Sequence, residues 1–330
     1  MTQKRNTKHK TAKTLRRTAI LSAVIFAFLV ALTLPASAYS GSGTEESPYL
    51  ISSSDDLVNL ADDVNSGNKY SGTYFQLASD LTLDGEWTPI GNGSRSGSLY
   101  TGNVFSGVFE GAGHIINGLT ITSGSGKQAI GLFGVVEGGI VKNLILEDVS
   151  ISTSADTAGS AVGMAVNNTL VQNIQTSGTL SAAVGLGGIV GRMAVSGTIQ
   201  DCINTASITA VGTSGGGGGI AGKAYYTETG MTMTIENCIN TGTVTGPYLA
   251  GGIVGFSAAD VTNCINTGSV SAGVEAGGIV GEQTNYGTIS LNSNSADVTS
   301  TDGSSPTAYG GIVGWIRYQT DTTSYQQTAL

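Results

Sequence analysis

Apolar residues and glycines recur along the chain in a five-residue phrase whose clearest form is Gly-Gly-Ile-Val-Gly, and polar stretches separate the copies. The main positions of the phrase are Gly131 and Gly134 in a weaker first copy, Gly159 and Gly163 in a second weak copy, then Gly188, Ile189, Gly191, Gly219, Ile220, Gly222, Gly252, Ile253, Gly255, Gly278, Ile279, Gly281, Gly311, Ile312 and Gly314. Successive copies lie 26 to 33 residues apart. A recurrent period near thirty residues is the signature of a stacked repeat protein.

Between the copies lies a second phrase with the pattern of a short strand. It reads Ile-Gln-Asp-Cys-Ile-Asn-Thr at 199–205, and near-identical versions follow at 235–241 and 261–267. The segments are β-prone and are bounded by Gly, Ser, Thr and Asn, without helical spacing. One such segment cannot bury an apolar face alone, so the repeats are expected to stack with parallel pairing. The sequence therefore predicts an all-β fold, a right-handed parallel β-helix, with roughly seven coils for its seven copies of the phrase.

Equivalent residues of stacked repeats are expected to form columns. The isoleucines of the first phrase predict an inward aliphatic column, and the asparagines of the second predict a self-satisfying ladder at a turn. The ladder residues are Asn204, Asn240, Asn266 and Asn294.

The three cysteines, Cys202, Cys238 and Cys264, occupy one repeat position. We interpret them as inward thiols that pack as small hydrophobic groups. A disulfide remains the alternative, because coils about 4.8 Å apart permit one, although parallel side chains give it poor geometry. No histidine accompanies the cysteines and no C-x-x-C occurs, so no metal site is predicted.

The N-terminus has the pattern of a secretory signal peptide over residues 1–38. Seven basic residues precede an apolar run, and Pro35-Ala36-Ser37-Ala38 resembles a cleavage site. An uncleaved membrane anchor is the alternative, but the apolar run is short and ends at a proline. Cleavage removes seven of the 14 basic residues and none of the 23 acidic ones, which leaves a net charge of −16. This charge argues against nucleic acid and acidic membranes as partners and indicates a secreted or cell-surface protein.

One segment near the start predicts a helix. Ser53 or Ser54 can cap it, and Leu57, Val58, Leu60, Ala61 and Val64 are predicted to form its apolar face. Solenoids need a terminal unit that shields the first coil from water, and we assign that role to this helix.

The domain boundaries follow from these patterns. Residues 39–104 are predicted to form the N-terminal cap with the helix and the first strands, ending in a polar loop at 93–103. Residues 105–316 are predicted to form the β-helix. The polar tail at 317–330 is either disordered or the cut end of a longer protein.

The repeats resemble those of the GLUG-motif proteins of bacterial surfaces. Gly131-Leu132-Phe133-Gly134 is followed by the strand Val141-Lys142-Asn143-Leu144, and further similar segments lie at 43–51, 87–91 and 105–114. The resemblance covers nearly all of residues 43–314. It implies a β-helix fold in a secreted or surface-attached protein, and it carries little about activity because no adhesive or protease domain adjoins the repeats.

The chemistry-bearing residues are sparse. His114 is the single histidine after the signal peptide, and we interpret it as structural. The H-E-x-x-H, G-x-S-x-G and Walker motifs are absent. The acidic residues Asp148, Asp201, Asp260 and Asp297 recur once per coil near turns, which is typical of solvated charges. We therefore predict a non-enzymatic protein without cofactor or metal.

The predicted function is adhesion to, or binding of, an extracellular glycan or protein. The candidate contact residues are Tyr100, Tyr225, Tyr226, Tyr248, Tyr286 and Tyr309, although ordinary surface tyrosines remain the alternative. Two other functions stay open: a polysaccharide-cleaving lyase or glycoside hydrolase, and a passive spacer. Carboxylates that converge in one groove favour the enzyme, whereas isolated acids favour the binding protein.

Overall fold

The computed structural model describes residues 39–96, 99–225, 231–284, 286–301 and 308–317. The predicted signal peptide, the tail beyond Arg317 and the candidate Tyr226 lie outside the described residues. Within the described part, one α-helix accompanies 36 short strands.

The strands are short and follow one another closely along the chain. The first elements are β1 (Tyr49–Ile51), α1 (Ser54–Asn65), β2 (Tyr74–Leu77), β3 (Leu81–Thr82), β4 (Ser94–Ser96), β5 (Leu99–Thr101), β6 (Val108–Glu110), β7 (Ile115–Asn117), β8 (Thr120–Ile121), β9 (Ser125–Ile130), β10 (Phe133–Glu137), β11 (Ile140–Ser152) and β12 (Ser154–Gly159). Next come β13 (Val162–Val166), β14 (Thr169–Ala182), β15 (Gly185–Gly187), β16 (Val190–Ala194), β17 (Gly197–Gln200), β18 (Ile203–Asn204), β19 (Ser207–Ala210), β20 (Gly216–Gly218), β21 (Ala221–Tyr225), β22 (Met233–Glu236), β23 (Ile239–Asn240) and β24 (Val244–Gly246). The last are β25 (Leu249–Gly251), β26 (Val254–Ser257), β27 (Asp260–Thr262), β28 (Ile265–Asn266), β29 (Val270–Ala272), β30 (Glu275–Gly277), β31 (Val280–Thr284), β32 (Ile289–Ser290), β33 (Ser293–Asn294), β34 (Val298–Ser300), β35 (Ala308–Gly310) and β36 (Val313–Arg317).

These strands wind into a parallel β-solenoid, which confirms the predicted fold class. Apart from the antiparallel strands β4 and β5, each strand pairs in parallel with its equivalent one coil away, in three sheets. The first sheet is the largest, the second runs from β10 to β36, and the third joins β9 to β35. In the first sheet, β1, β2, β6, β11, β14, β17, β22, β27 and β32 stand in one column.

The solenoid therefore has about nine turns and not seven. The stack begins at β1, inside the segment predicted as a cap, because β1 and β2 pair in parallel without carrying the glycine phrase. The helix α1 lies against β1 and buries Leu57, Leu60, Ala61 and Val64. The prediction was wrong for Val58, which is 43% exposed because it lies on the side of the helix that faces away from the buried residues. Ser53 caps it, with a reciprocal bond from the backbone N–H of Ser53 to the side chain of Asp56.

The isoleucines of the glycine phrase form the expected inward column. The backbone N–H of Ile220 donates to the carbonyl of Ile253 at 2.8 Å, and Ile253 donates to Ile279 at 2.9 Å. These three side chains are fully buried, whereas Ile312 in the last described coil is 36% exposed. The exposure of Ile312 follows from its position at the end of the column.

The asparagine ladder stands directly against the glycine phrase. Asn204 Nδ2 donates to Asn240 Oδ1 at 2.7 Å, and the next two steps of the ladder measure 2.8 Å each. Each amide also donates to a backbone carbonyl two residues further along, so a fully buried amide is satisfied without water. A Cβ on Gly219 would fall within 3.0 Å of the side chain of Asn240, so the second glycine of the phrase makes room for the ladder.

The three cysteines are free and fully buried, as expected of packing thiols. Cys238 Sγ lies 3.9 Å from the carbonyl of Ile199 in the preceding coil, a weak contact. Burial raises the pKa of the Cys238 thiol well above its ordinary value, so the thiol stays protonated.

A second ladder runs along the outside of the first sheet, at a turn with left-handed backbone. Its members with positive φ are Asn143, Asn173, Asp201, Asn237, Asn263 and Leu291. Asn263 Nδ2 donates to Asn237 Oδ1 at 2.8 Å, and Asn237 donates to Asp201 at 3.1 Å. Asn and Asp tolerate this backbone conformation, whereas Leu291 combines a φ of 57° with 84% exposure.

Replacing Leu291 with Asn should stabilise the last coils by about 1 kcal/mol, because a left-handed backbone is costly for leucine and asparagine can extend the ladder from Asn263. Urea unfolding of the variant measures the gain. Val211→Asn is the matched control, since Val211 is also an exposed aliphatic residue, at 58%, but has no positive φ. An equal gain in both variants would show that polarity, and not the backbone, is responsible.

Candidate functional site

The outer face of the second sheet carries one variable side chain per coil, in strict register. Arg192 pairs with Lys223, Lys223 with Phe256, Phe256 with Glu282, and Glu282 with Trp315. Successive members are therefore about 4.8 Å apart along the solenoid. We define the platform as Arg192, Lys223, Tyr225, Phe256 and Trp315.

The platform combines aromatic rings with cations. The Arg192 guanidinium lies 5.6 Å from the centre of the Tyr225 ring, and the Tyr225 and Phe256 rings are 5.6 Å apart at 60°. Lys223, Tyr225, Phe256 and Trp315 are all half-buried, so each keeps an accessible edge. Of the seven Lys and Arg residues after residue 38, three lie on the outer face of this one sheet: Arg192, Lys223 and Arg317.

The N-terminal half of the same face is covered. The predicted polar loop at 93–103 instead contains the antiparallel hairpin of β4 and β5. Its Tyr100 packs against a cluster that includes Val135 and Met164, the two members of the register column that precede Arg192. Burial and a hydrogen bond to Glu137 raise the pKa of Tyr100. Arg192 itself is buried, so the open part of the face begins at Lys223.

A pair of glutamates adjoins the platform where the second and third sheets meet. Glu275 begins β30, Glu282 lies on β31, and the glycine phrase connects them. Both side chains are buried, and their carboxyl groups lie close enough for a hydrogen bond when one of them carries a proton. A Cβ on Gly281 would fall within 3.0 Å of the carbonyl of Ala250, which shows how closely the two sheets approach.

The glutamate pair is held between apolar residues. In register, Leu249 and Phe256 lie in the coil on one side, and Ala308 and Trp315 lie in the coil on the other. Among the described residues, Tyr248 Oη donates to Glu275 Oε1 at 3.4 Å, and Arg317 Nε lies 2.5 Å from Glu282 Oε1.

Two adjacent carboxylates in such surroundings cannot both be charged. Glu275 Oε2 is buried and receives no hydrogen bond from a donor of the described protein, which fits a protonated oxygen that donates to Glu282. Burial and the neighbouring Glu282 raise the pKa of Glu275 to about 8, and burial also raises the pKa of Glu282. The pair therefore shares one proton at neutral pH.

This pair is not among the residues predicted from the sequence, in which the acids look scattered. One sequence feature could have revealed the pair. Only the repeat that contains Glu275 and Glu282 has a glutamate on both sides of its glycine phrase. The two carboxyl groups do converge, but in direct contact. Glycoside hydrolases keep theirs about 5 to 9.5 Å apart to admit a sugar or a water molecule.

The candidate tyrosines do not form one site. Tyr225 lies on the platform and Tyr248 lies beside the glutamate pair. Tyr309 is partly buried and donates to the carbonyl of Ala272 at 2.6 Å, and Tyr286 is 48% exposed in the turn after β31.

Other polar residues have structural partners. His114 Nδ1 lies 3.0 Å from Asp80 Oδ1, and Asp260 accepts hydrogen bonds from the backbone and hydroxyl of Thr288. A small pocket of about 160 Å³ lies beside Trp87, far below the size typical of ligand sites. Among the described residues, no three His, Cys, Asp or Glu side chains gather as a metal site.

Comparison with known proteins gives two relatives and three structural neighbours, and one of these neighbours is described below. Halomucin of Haloquadratum walsbyi is 31% identical over 163 residues, which are 48% of this chain and 2% of halomucin. A protein of Evansella cellulosilytica described as a "Putative Gly-rich membrane protein" is 36% identical over 114 residues, 32% of this chain and 12% of that protein. No family model matches the chain.

One of the structural neighbours is a crystal structure described as "a putative immunoglobulin A1 protease from Bacteroides ovatus". It matches with a TM-score of 0.63 and 23% identity, covering 88% of this chain and 83% of that chain. This likeness supports the fold alone. Among the described residues, no helix is long and apolar enough to cross a membrane.

Proposed function

We propose that this chain is a non-enzymatic binding module of a secreted or cell-surface protein, related to the GLUG-motif repeat proteins, and that it holds a glycan on the platform. The observation that carries the proposal is the register of the platform. Cationic and aromatic side chains recur at outward positions of one sheet face, where the preceding coils carry Val135 and Met164 under a hairpin.

The chemistry of the platform suits a sugar. Aromatic rings offer apolar faces to the C–H groups of a sugar ring, while tyrosine and tryptophan keep a polar tip for its hydroxyl groups. Lys223 adds a hydrogen-bond donor between the rings. A protein ligand is the alternative, and a glycan array without any retained glycan would favour it.

The relatives support an extracellular location. One is named as a membrane protein and the other as halomucin, and both names fit the cell surface or its surroundings. The chain spans only 2% and 12% of these two proteins, so their overall activities are not carried over to it.

Polysaccharide cleavage has less support. A catalytic carboxyl group must touch its substrate, and both Glu275 and Glu282 are buried beneath their neighbours. Their direct contact leaves no space between them for the bond to be cleaved.

A glycan array with the purified chain tests the proposal. Phe256→Ala and Tyr225→Ala should each weaken binding of a retained glycan at least about tenfold, equivalent to ~1.4 kcal/mol, because each removes an aromatic face. Tyr286→Ala is the matched control, since Tyr286 is an exposed aromatic residue that is not part of the platform. Thermal melting of all three variants checks that they are folded.

Two results would contradict the proposal. The first is an array without any retained glycan. The second is binding that falls equally in the Tyr286 variant, which would place the contact surface elsewhere.

A further inference from the structure

We infer that the Glu275–Glu282 pair regulates the platform as a pH-dependent latch, in which the shared proton holds the second and third sheets together. The platform is ordered at acidic and neutral pH and becomes less ordered at alkaline pH. The inference rests on the proposed function for its effect on ligand binding. Its effect on the fold is independent of any ligand.

The pair is placed to act on the platform. Glu282 belongs to the same register column as the platform residues Phe256 and Trp315 and stands between them. Glu275 belongs to the third sheet, so the hydrogen bond between the two carboxyl groups ties the second sheet to the third within one coil. The shared proton therefore stabilises the part of the platform that carries Trp315.

The charged and titratable groups that face the pair come from three elements. Arg317 on β36 pairs with Glu282, Lys223 on β21 acts from two coils away, and Tyr248 precedes β25. Burial and the nearby Glu275 raise the pKa of Tyr248, so it remains a neutral donor. With one proton shared, the single negative charge of the pair is balanced by Arg317. Loss of that proton leaves a second charge among Leu249, Phe256, Ala308 and Trp315.

The direction of the pH effect follows from the pKa shift. A glutamate of the unfolded chain loses its proton near pH 4.5, whereas folding raises the pKa of Glu275 to about 8. The stabilisation is therefore fully present below pH 4.5 and is lost as the pH rises through 8. Between these values the folding equilibrium constant of the coils that depend on the pair falls by up to about tenfold per pH unit.

Hydrogen exchange of the purified chain at pH 6 and pH 9, corrected for intrinsic exchange rates, tests the latch. The protection factors of amides in β31 and β36 should fall at least about tenfold more than those in β16 and β21 of the same molecule. Glu275→Gln should abolish the difference, because an amide can donate to Glu282 as the protonated acid does but cannot ionise. Glu147→Gln, at an exposed glutamate of β11, is the matched control and should behave as the unmodified chain.

Glycan affinity over the same pH range gives the second measurement. The affinity of the unmodified chain should fall several-fold between pH 6 and pH 9, and that of the Glu275→Gln variant should not. Equal protection changes in the terminal and central coils, or an unaltered pH response in Glu275→Gln, would overturn the latch. Absence of glycan binding at every pH would overturn the proposed function, while the exchange result still decides whether the latch exists.

Discussion

Ile253→Asp should unfold the central coils, with a loss of more than about 4 kcal/mol, because it puts a charge without a partner into the aliphatic column. Ile253 is fully buried, and its neighbours in the column are Ile220 and Ile279, which offer no polar side chain. The far-UV circular dichroism melt of the purified chain measures the effect. The expected result is a large fall in melting temperature or the absence of a cooperative transition.

The last described coil supplies a matched control. Ile312 has the same place in its repeat but is 36% exposed, so a charge there stays partly in water. Ile312→Asp should cost much less than Ile253→Asp. Equal melting of the Ile253→Asp variant and the unmodified chain would contradict the stacking of the isoleucines, on which the fold assignment depends.

Gly219→Ala should be the second most damaging substitution, at about 2–3 kcal/mol, although it adds a single methyl group. The backbone of Gly219 is not in the left-handed region, so alanine is not excluded by conformation. The added Cβ would instead fall within 3.0 Å of the Asn240 side chain and of the carbonyl of Gly252. This steric clash is relieved only if the buried asparagine ladder or the next coil shifts. Urea unfolding measures the loss.

Gly311→Ala is the control for this prediction. Gly311 is the equivalent glycine of the last described coil, and a Cβ there meets no atom within 4 Å. The substitution should be close to neutral. If both alanine variants lost the same stability, the cause would be the general preference for glycine and not the contact with the ladder.

The inward and outward positions of the repeat differ in how much their residues vary from coil to coil. Inward positions hold nearly the same residue in each coil, as Asn204, Asn240 and Asn266 do, because each must pair with its copy above and below. The outward column of the second sheet has no such constraint and changes from Arg192 to Phe256 to Trp315. Differences in function among stacked repeats of this kind are therefore expected at outward positions next to the glycine phrase.

The sequence by itself determined the scaffold, including the parallel stacking, the isoleucine column, the asparagine ladder, the buried thiols and the helix α1. These features repeat at short intervals, and a residue that recurs once per coil meets its own copy whatever the details of the turns. The sequence underestimated the number of turns because β1 and β2 stack through strand pairing without the glycine phrase.

Only the tertiary structure decided which surface residues meet. Glu275 and Glu282 are separated by seven positions and lie on different sheets, so their contact depends on how sharply the chain turns through the glycine phrase. The packing of Tyr100 from the hairpin over Val135 and Met164, and the exposure of the platform from Lys223 onward, depend equally on where β4 and β5 pack. Periodicity predicts contacts between copies of one position, whereas contacts between different positions of the repeat are set by the angle between the sheets.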